Sequence, residues 1–198
     1  MSIMLLMYPT PTDRLASLLA AEAASEPFEI LAFWGHRPAK SGGYPGPGCL
    51  SQWWPEPFTV DGTVYPTAEH WMMAGKARLF GDDEALAAIL AASSPGAAKA
   101  LGREVRGFDD ARWYAAGYHL VVQGNVAKFS QHPQLRAFLL HTGRRVLVEA
   151  SPYDRVWGIG LGHDHPDTPV PSRWRGLNQL GFALMEVRDR LIDGEEFR

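Results

Sequence analysis

The sequence has a single cysteine and no long hydrophobic run. One cysteine, Cys49, excludes an internal disulfide and any zinc site built from cysteine thiolates, and it suits a reducing cytoplasm. No apolar run approaches the roughly 20 residues that a membrane helix needs. Residues 3–7 are apolar, but no basic residue precedes them and prolines follow, so a secretory signal is not expected. We therefore predict a cytoplasmic protein without a membrane partner.

The sequence also lacks a strong charge of either sign. Its 198 residues carry 19 Lys and Arg against 22 Asp and Glu, a formal net charge of −3. Such a chain has no general attraction to phosphate polymers, so any contact with nucleic acid needs a local basic patch. Hydrophobic residues make up 46% and charged residues 21%, as in ordinary globular proteins. The length predicts one domain with a substantial core.

Tryptophan, in contrast, is abundant, with seven residues in the chain. Large aromatic rings are usually core residues, and we expect at least half of these to lie in the core. The remaining rings are free to stack on a nucleobase or to flank a sugar, because both uses need a rigid flat surface.

The hydrophobic patterning predicts a mainly helical α+β fold with a small sheet. Strands are expected at residues 28–34 and 146–150, and Asp61-Gly62 predicts a hairpin turn. Helices are expected at residues 12–22, 82–92, 94–101, 109–129, 133–140 and 177–192, and residues 65–78 are expected to contain the start of a buried helix that Thr67 caps. Thr12 is the expected cap of the first helix, and Leu177 the first inward residue of the last.

Two loops and one boundary complete the predicted organisation. Residues 35–49 are rich in glycine and proline and are expected to form a loop. Residues 151–175 form a second, longer loop, and a loop of that length in a compact domain is usually functional. Residues 1–27 are predicted to be an N-terminal appendage, and residues 28–198 to be one domain.

The chain is organised around the helix that follows Thr67. One face of this helix carries four residues spaced at three, four and seven positions: Glu69, Met72, Met73 and Lys76. A carboxylate and an ammonium group on a methionine face are costly to bury, so their presence needs a reason. One reason is a structural ion pair between Glu69 and Lys76. The other is a site that uses a desolvated acid and amine.

A second candidate site lies where the strand at residues 146–150 runs into the long loop. Asp154 follows this strand, and an acid on a loop held by a rigid element is a common feature of sites. Successive glycines such as Gly158 and Gly160 let backbone N–H groups approach an anion such as phosphate. The alternative is an ordinary turn, since the spacing matches neither the Rossmann nor the Walker pattern.

Two further groups of polar residues admit two interpretations each. Lys99 and Arg103 lie four residues apart on one helix face, and they either bind phosphate or form solvated surface. His163 and His165 resemble a pair of metal ligands, but no third ligand is identifiable and a solvated loop is expected. A nucleophilic triad is not supported, because Ser51 lacks the context of an activated nucleophile.

Several motifs, taken in chain order, resemble the YbiA-like family, also called NADAR. They are Phe33-Trp34, residues 50–53, residues 65–76, Ser94-Pro95 with Lys99 and Arg103, Trp113, Lys128-Phe129, residues 147–151 with Asp154, residues 157–160 and residues 174–188. The resemblance runs in order over about residues 29–192, which makes it specific. Residues 1–28, the insertion at 35–48 and the histidine-rich segment 163–171 depart from the family pattern.

The resemblance implies an α+β, mainly helical N-glycosidase that cleaves the bond between a ribose anomeric carbon and a nitrogen. The implied substrates are ribosylamino-pyrimidine phosphates of early riboflavin synthesis, or ADP-ribose attached to guanine in DNA or RNA. By position, the resemblance implies that Glu69, Asp154 and Lys76 are catalytic. It implies a substrate-binding set made of Trp34, Ser51, Trp113, Lys99, Arg103, Trp157, Gly158, Gly160 and Asn178. No metal or other cofactor is implied.

The candidate residues fit this chemistry. Cleaving an N-glycosidic bond builds positive charge on the ribose, which a carboxylate stabilises, while the leaving base needs a proton. Glu69, on a semi-apolar face, is expected to act as acid and base, and Asp154, in a polar loop, to stay ionised. Lys76 is alternatively a nucleophile that forms an imine with the opened ribose. A non-catalytic reader of ADP-ribose or nucleotides is the alternative function.

Overall fold

The structure is a computed structural model that describes residues 8–37 and 45–195. It confirms the predicted α+β, mainly helical class. The helices are α1 (Pro11–Ala23), α2 (Ala68–Phe80), α3 (Asp83–Leu90), α4 (Pro95–Arg103), α5 (Asp110–Gln131), α6 (Pro133–His141) and α7 (Gln179–Ile192). The strands are β1 (Ile30–Phe33), β2 (Phe58–Val60), β3 (Thr63–Tyr65) and β4 (Val146–Glu149). The apolar segment 3–7 and residues 38–44 of the first predicted loop lie outside the described residues.

The strands form two pairs. β1 lies parallel to β4, with Phe33 opposite Glu149 at the end of the pair. β2 and β3 form the predicted antiparallel hairpin, whose turn residues Asp61 and Gly62 have φ values of 47° and 75°. Positive φ at both central positions is the conformation that an Asp-Gly hairpin turn favours. The parallel pair is the one that bears on function, because it delivers the chain into the long loop after residue 150.

Side-chain caps begin most helices where the sequence predicted them. In each case the side chain of the residue before the helix accepts a backbone N–H from the first turn. The caps are Thr67 for α2, Asp82 for α3, Ser94 for α4 and Asp109 for α5. The start of α2, and with it the position of its polar face along the chain, is therefore determined locally by the cap at Thr67.

Two helix starts differ from the prediction. α1 is capped by Thr10 and not by Thr12, because Thr10 and Asp13 bond to each other reciprocally as a capping box. α7 begins two residues later than predicted, so Leu177 precedes the helix and is 45% exposed instead of facing inward. The chain turns into α7 at Asn178, whose φ of 51° is left-handed.

α2 occupies the centre of the core and packs against α3, α4 and α5. α5 packs in turn against α7, and α7 covers β4. The close approach of α2 and α5 depends on Gly124, because a Cβ atom there would overlap the indole of Trp71. The same indole donates its Nε1–H to the carbonyl of Leu120 at 2.7 Å. Packing on three sides fixes the orientation of α2.

Two of the tryptophans lie in the core and three more pack against it. Of the seven, only Trp54 and Trp71 are fully buried, at 8% and 9% exposure. Three more, Trp113, Trp157 and Trp174, are partly buried against the core. The rings that the core leaves partly open are available for contacts with a ligand.

α1 lies against α7 and the end of the long loop. Arg14 forms an ion pair with Asp189 at 2.7 Å, and Glu22 accepts hydrogen bonds from the N–H and hydroxyl of Ser172. Whether residues 1–27 are a separate appendage remains a prediction. Within residues 8–37 and 45–195, no helix is long and apolar enough to cross a membrane.

Candidate active site

A cavity of about 300 Å³ opens between α2, α4, the start of α5 and the loop after β4. It brings together eight of the residues that the sequence assigned to the site: Ser51, Glu69, Lys76, Lys99, Arg103, Trp113, Asp154 and Trp157. It also includes residues that the sequence analysis left out, among them Gln52, Trp53 and Glu149. Side chains from distant parts of the chain thus converge on one concave surface, as in small-molecule sites.

Glu69 lies in the first turn of α2 with only 5% of its surface exposed. Its N–H donates to the carbonyl of Gln52 at 3.0 Å, which ties the helix to the cavity wall. Burial raises the pKa of Glu69 to about 7. The charge of Lys99 and a hydrogen bond from Trp53 oppose this rise, and the charge of Asp154 adds to it. A carboxyl group with such a pKa both gives and takes protons near neutral pH.

Lys76 shares the cavity with Glu69, but among the described residues its bond is to a backbone carbonyl. Its Nζ donates to the carbonyl of Gly102 at 2.7 Å and lies 4.0 Å from the centre of the Phe108 ring. The Trp113 ring centre is 5.9 Å away. Burial lowers the pKa of Lys76, which increases the share of neutral, nucleophilic amine. The structural ion pair left open by the sequence therefore does not explain these two charges.

Asp154 is held in the loop that follows β4 by backbone donors. Its Oδ1 accepts the N–H groups of Val156 and Trp157 at 2.9 and 2.8 Å. Its carbonyl accepts the N–H of Gly160 at 3.0 Å. These bonds close the loop tightly and fix the orientation of the carboxylate in the cavity wall. This is the placement expected of an acid on a loop held by a rigid strand.

Glu149, at the end of β4, is the cavity carboxyl group that the sequence analysis missed. Its N–H donates to Oδ1 of Asn178 at 3.0 Å. Its Oε2 is buried and has no hydrogen-bond partner among the described residues. Burial raises the pKa of Glu149 to about 8, and the charge of Asp154 adds to the rise. The signal in the sequence was a lone carboxylate in the apolar run at residues 146–150.

Two walls of the cavity carry residues that the sequence analysis assigned to substrate binding. Lys99 and Arg103, from α4, form a cationic wall, and both act electrostatically on Glu69. Trp113, from α5, and Trp157, from the loop, form an aromatic wall. Cationic side chains beside flat rings suit a ligand that combines phosphate with a planar base.

Buried side chains of α5 fix the cavity wall around Ser51 and Gln52. The Nζ of Lys128 donates to the carbonyls of Cys49 and Ser51 at 2.8 and 3.0 Å. The Nδ2 of Asn125 donates to Oε1 of Gln52 at 2.9 Å. The Nε2 of Gln52 is buried and without a hydrogen-bond partner in the part of the chain that is described. The wall therefore holds an unused donor.

Four residues assigned to substrate binding lie outside the cavity lining: Trp34, Gly158, Gly160 and Asn178. Trp34 is 57% exposed beyond β1. The N–H groups of Ile159 and Gly160 donate to the carbonyls of Glu149 and Asp154, both at 3.0 Å, so neither is free for phosphate. Asn178 holds β4, because its amide also donates to the carbonyl of Leu147 at 2.9 Å. At Ile159 and Gly160 the glycine run is therefore a hydrogen-bonded turn of the loop, and phosphate binding at Gly158 stays a prediction.

The histidine-rich segment at residues 163–167 also lies outside the cavity lining. The N–H of Asp167 donates to Nδ1 of His165 at 3.1 Å, and Arg173 pairs with Asp167 at 2.7 Å. In the described ranges, no group of three or more His, Cys, Asp or Glu side chains is placed to hold a metal ion. The segment is a polar loop stabilised by its own contacts.

A shallow trough connects the cavity with a groove beside α1. Trp113 and Trp157 line both the cavity and the trough, and Tyr114 and Tyr118 line both the trough and the groove. The groove encloses about 510 Å³, and the segment at residues 8–15 forms its other side. Tyr114 is 72% exposed, so the trough presents an open aromatic surface next to the cavity.

Known proteins resemble this chain in sequence and in fold. The profile of the NADAR domain matches residues 32–192. An N-glycosidase of Acanthamoeba polyphaga mimivirus is 41% identical over 145 residues, which span 71% of this chain and 85% of the viral protein. The N-glycosidase YbiA of Escherichia coli strain K12 is 36% identical over 135 residues, spanning 68% of this chain and 76% of YbiA. The NMR structure of Escherichia coli YbiA superposes with a TM-score of 0.66 at 31% identity, covering 84% of this chain and 86% of that one.

Proposed function

Because the chain belongs to the NADAR family, we propose that it is an N-glycosidase that hydrolyses the bond between a ribose anomeric carbon and a nitrogen. The observation that carries the proposal is the convergence of Glu69, Lys76 and Asp154 on one cavity with cationic and aromatic walls. The viral and bacterial relatives that are named N-glycosidases support the same class of reaction.

Asp154 stabilises the positive charge that develops on the ribose as the bond to nitrogen breaks. Two backbone N–H groups hold its carboxylate in place, so little reorganisation is needed when the charge appears. Glu69, with its pKa of about 7, exchanges protons with water and with the leaving base. Two carboxyl groups in different environments thereby take different roles.

Lys76 offers a second route to the same products. Its neutral amine attacks the anomeric carbon, the base leaves with a proton, and the opened ribose remains as an imine that water hydrolyses. The lowered pKa of Lys76 supports this route, because it makes the neutral amine more abundant. The bond to the Gly102 carbonyl supports it as well, because it restrains Nζ beside the cavity.

The binding walls suit a phosphorylated ribosyl base. Lys99 and Arg103 hold phosphate, while Trp113 and Trp157 stack on the base. A cavity of about 300 Å³ accommodates one group of nucleotide size. Ribosylamino-pyrimidine phosphates and ADP-ribosylated guanine both present phosphate, ribose and a planar base. A modified guanine in DNA or RNA would enter as a single extruded nucleotide.

The test is to incubate the purified protein with an ADP-ribosylated guanine oligonucleotide and, separately, with a ribosylamino-pyrimidine phosphate. Released base and ADP-ribose or ribose phosphate are measured by chromatography. We expect turnover of at least one substrate and a fall in kcat on the order of 100-fold for Asp154→Asn. The exposed residue Glu26 provides the matched control, Glu26→Gln, which should retain full activity.

Two outcomes would contradict the proposal. No release from either substrate overturns it outright. Binding of ADP-ribose without turnover, if it survives Glu69→Gln, identifies a non-catalytic reader of ADP-ribose or nucleotides instead.

A further inference from the structure

The last residue of β4, Glu149, carries a carboxyl group to which the mechanism described above assigns no role. Glu149 lines the cavity, and its Oε2 is buried without a hydrogen-bond partner among residues 8–37 and 45–195. Nearly all buried polar side-chain atoms in proteins have a partner, so an exception needs an explanation. An atom of this kind in the wall of a binding cavity is explained if a ligand provides the partner.

The backbone of Glu149 is anchored independently of its side chain. Its N–H donates to Oδ1 of Asn178 at 3.0 Å, and its carbonyl accepts the N–H of Ile159 at 3.0 Å. The side-chain carboxyl group takes part in neither bond. The substitution Glu149→Gln would therefore leave both backbone hydrogen bonds intact. These bonds also fix the position of the backbone that carries the carboxyl group.

The charged groups that share the cavity with Glu149 come from three elements. They are Glu69 and Lys76 from α2, Lys99 and Arg103 from α4, and Asp154 from the loop after β4. Three carboxyl groups in one small desolvated space repel each other strongly if all are ionised. Burial and the charge of Asp154 raise the pKa of Glu149 to about 8, so at pH 7 most of it carries a proton. The cavity therefore contains two carboxyl groups whose pKa values burial raises toward neutral pH, with that of Glu149 the higher of the two.

We propose that Glu149, and not Glu69, is the proton donor to the leaving nitrogen, an inference that rests on the proposed N-glycosidase function and limits the role of Glu69 to the attacking water. The proton of its carboxyl group moves to the nitrogen as the electron pair of the carbon–nitrogen bond departs with the base. Asp154 stabilises the ribose cation, and Glu69 takes a proton from the water that attacks the anomeric carbon. That proton then restores Glu149. One water is consumed, and the products are ribose with a new hydroxyl group and the protonated base.

A change of leaving group in the substrate distinguishes proton donation by Glu149 from a purely structural role. A base that leaves through nitrogen needs a proton in the transition state, so its release depends on an acid. A ribose phosphate linked to nitrophenol needs none, because nitrophenolate departs as a stable anion. If Glu149 only supported the fold of the cavity, its replacement would slow both substrates alike.

The experiment compares Glu149→Gln with the unaltered protein on both kinds of substrate. We expect kcat for the nitrogen-linked substrate to fall on the order of 100-fold or more with little change in KM. We expect kcat for the nitrophenyl substrate to remain close to that of the unaltered protein. The unaltered protein should also lose activity as pH rises through about 8, and this limb should be absent in Glu149→Gln. Glu26→Gln is the matched control, and thermal unfolding verifies that both variants fold.

Every result of this experiment either supports or contradicts the role of Glu149 as proton donor. Equal losses on both substrates, or no loss on either, would overturn the role of Glu149. If the unaltered protein does not accept the nitrophenyl substrate, the pH profile decides, and an alkaline limb that persists in Glu149→Gln overturns the inference. No turnover of any nitrogen-linked substrate by the unaltered protein overturns the proposed function and this inference with it. If the unaltered protein and Glu149→Gln turn over the nitrogen-linked substrate at the same rate, the inference about Glu149 is overturned and the proposed function stands.

Discussion

The buried carboxyl group of Glu69 makes the free energy of unfolding depend on pH, and the variant Glu69→Gln measures that dependence. In the unfolded chain this carboxyl group has its ordinary pKa of 4.5, whereas burial raises the pKa to about 7 in the folded protein. The folded state therefore binds the proton more tightly. The resulting stabilisation is fully present below pH 4.5 and is lost as pH rises through about 7.

The size of the effect follows from the two pKa values. Each tenfold difference in proton affinity corresponds to about 1.4 kcal/mol, so a change from 4.5 to about 7 corresponds to about 3 kcal/mol. Glutamine has nearly the same volume and no such proton to lose. Relative to the unaltered protein, Glu69→Gln should therefore gain about 3 kcal/mol of stability between pH 4 and pH 8. A gain in stability with a loss of activity is typical of a functional residue held in an unfavourable environment.

The assay is urea denaturation followed by far-UV circular dichroism at one-unit steps from pH 4 to pH 8, with linear extrapolation to water. The control Glu26→Gln removes an exposed carboxyl group, and its difference from the unaltered protein should stay small at every pH. If the difference for Glu69→Gln is the same at pH 5 and pH 8, the carboxyl group titrates alike in the folded and unfolded states. That result would refute the reasoning.

Three other predictions concern the amine and the packing around it. Borohydride added during turnover distinguishes the amine route from direct attack by water, because only the amine route leaves an opened ribose on Lys76 that mass spectrometry detects. Lys76→Arg should prevent this, and turnover without an adduct would exclude the amine route. Lys128→Met should lower the free energy of unfolding in urea by about 2 kcal/mol or more, since two carbonyls lose their donor; an unchanged midpoint would contradict this. Gly124→Ala should cost about 1–3 kcal/mol because its Cβ overlaps Trp71. Gly162→Ala, in open space, is the control, and equal effects of the two would count against the packing argument.

The helix starts were predictable because their signals are local. Thr67 and Ser94 each lie next to the N–H groups that they cap, so the sequence contains both partners of the bond. The start of α1 was misplaced because Thr10 and Thr12 are similar candidates. Only the bond between Thr10 and Asp13 in the folded chain distinguishes them. The parallel pairing of β1 with β4 joins segments more than one hundred residues apart, and no local pattern specifies it.

The candidate site was predictable where a residue type is unusual in its local context. Glu69 on a methionine face and Asp154 after a strand are of this kind, and both line the cavity. The direction of backbone N–H groups in a loop is not encoded by spacing, so the glycine run was open to an interpretation as an anion site. Glu149 was missed because a carboxylate at a strand end usually faces solvent. Only the tertiary packing around the end of β4 turns that position into a cavity wall.

The groove beside α1 bears on the design of selective inhibitors. A compound that fills the cavity and extends along Trp113 and Tyr114 would reach the segment at residues 8–15. That segment lies outside the NADAR domain match, which begins at residue 32. Selectivity is a difference between two affinities, so it is best obtained from contacts that only one of the two targets provides. An inhibitor with an aromatic extension into the groove should therefore bind this enzyme more tightly than a relative whose chain begins at the shared domain.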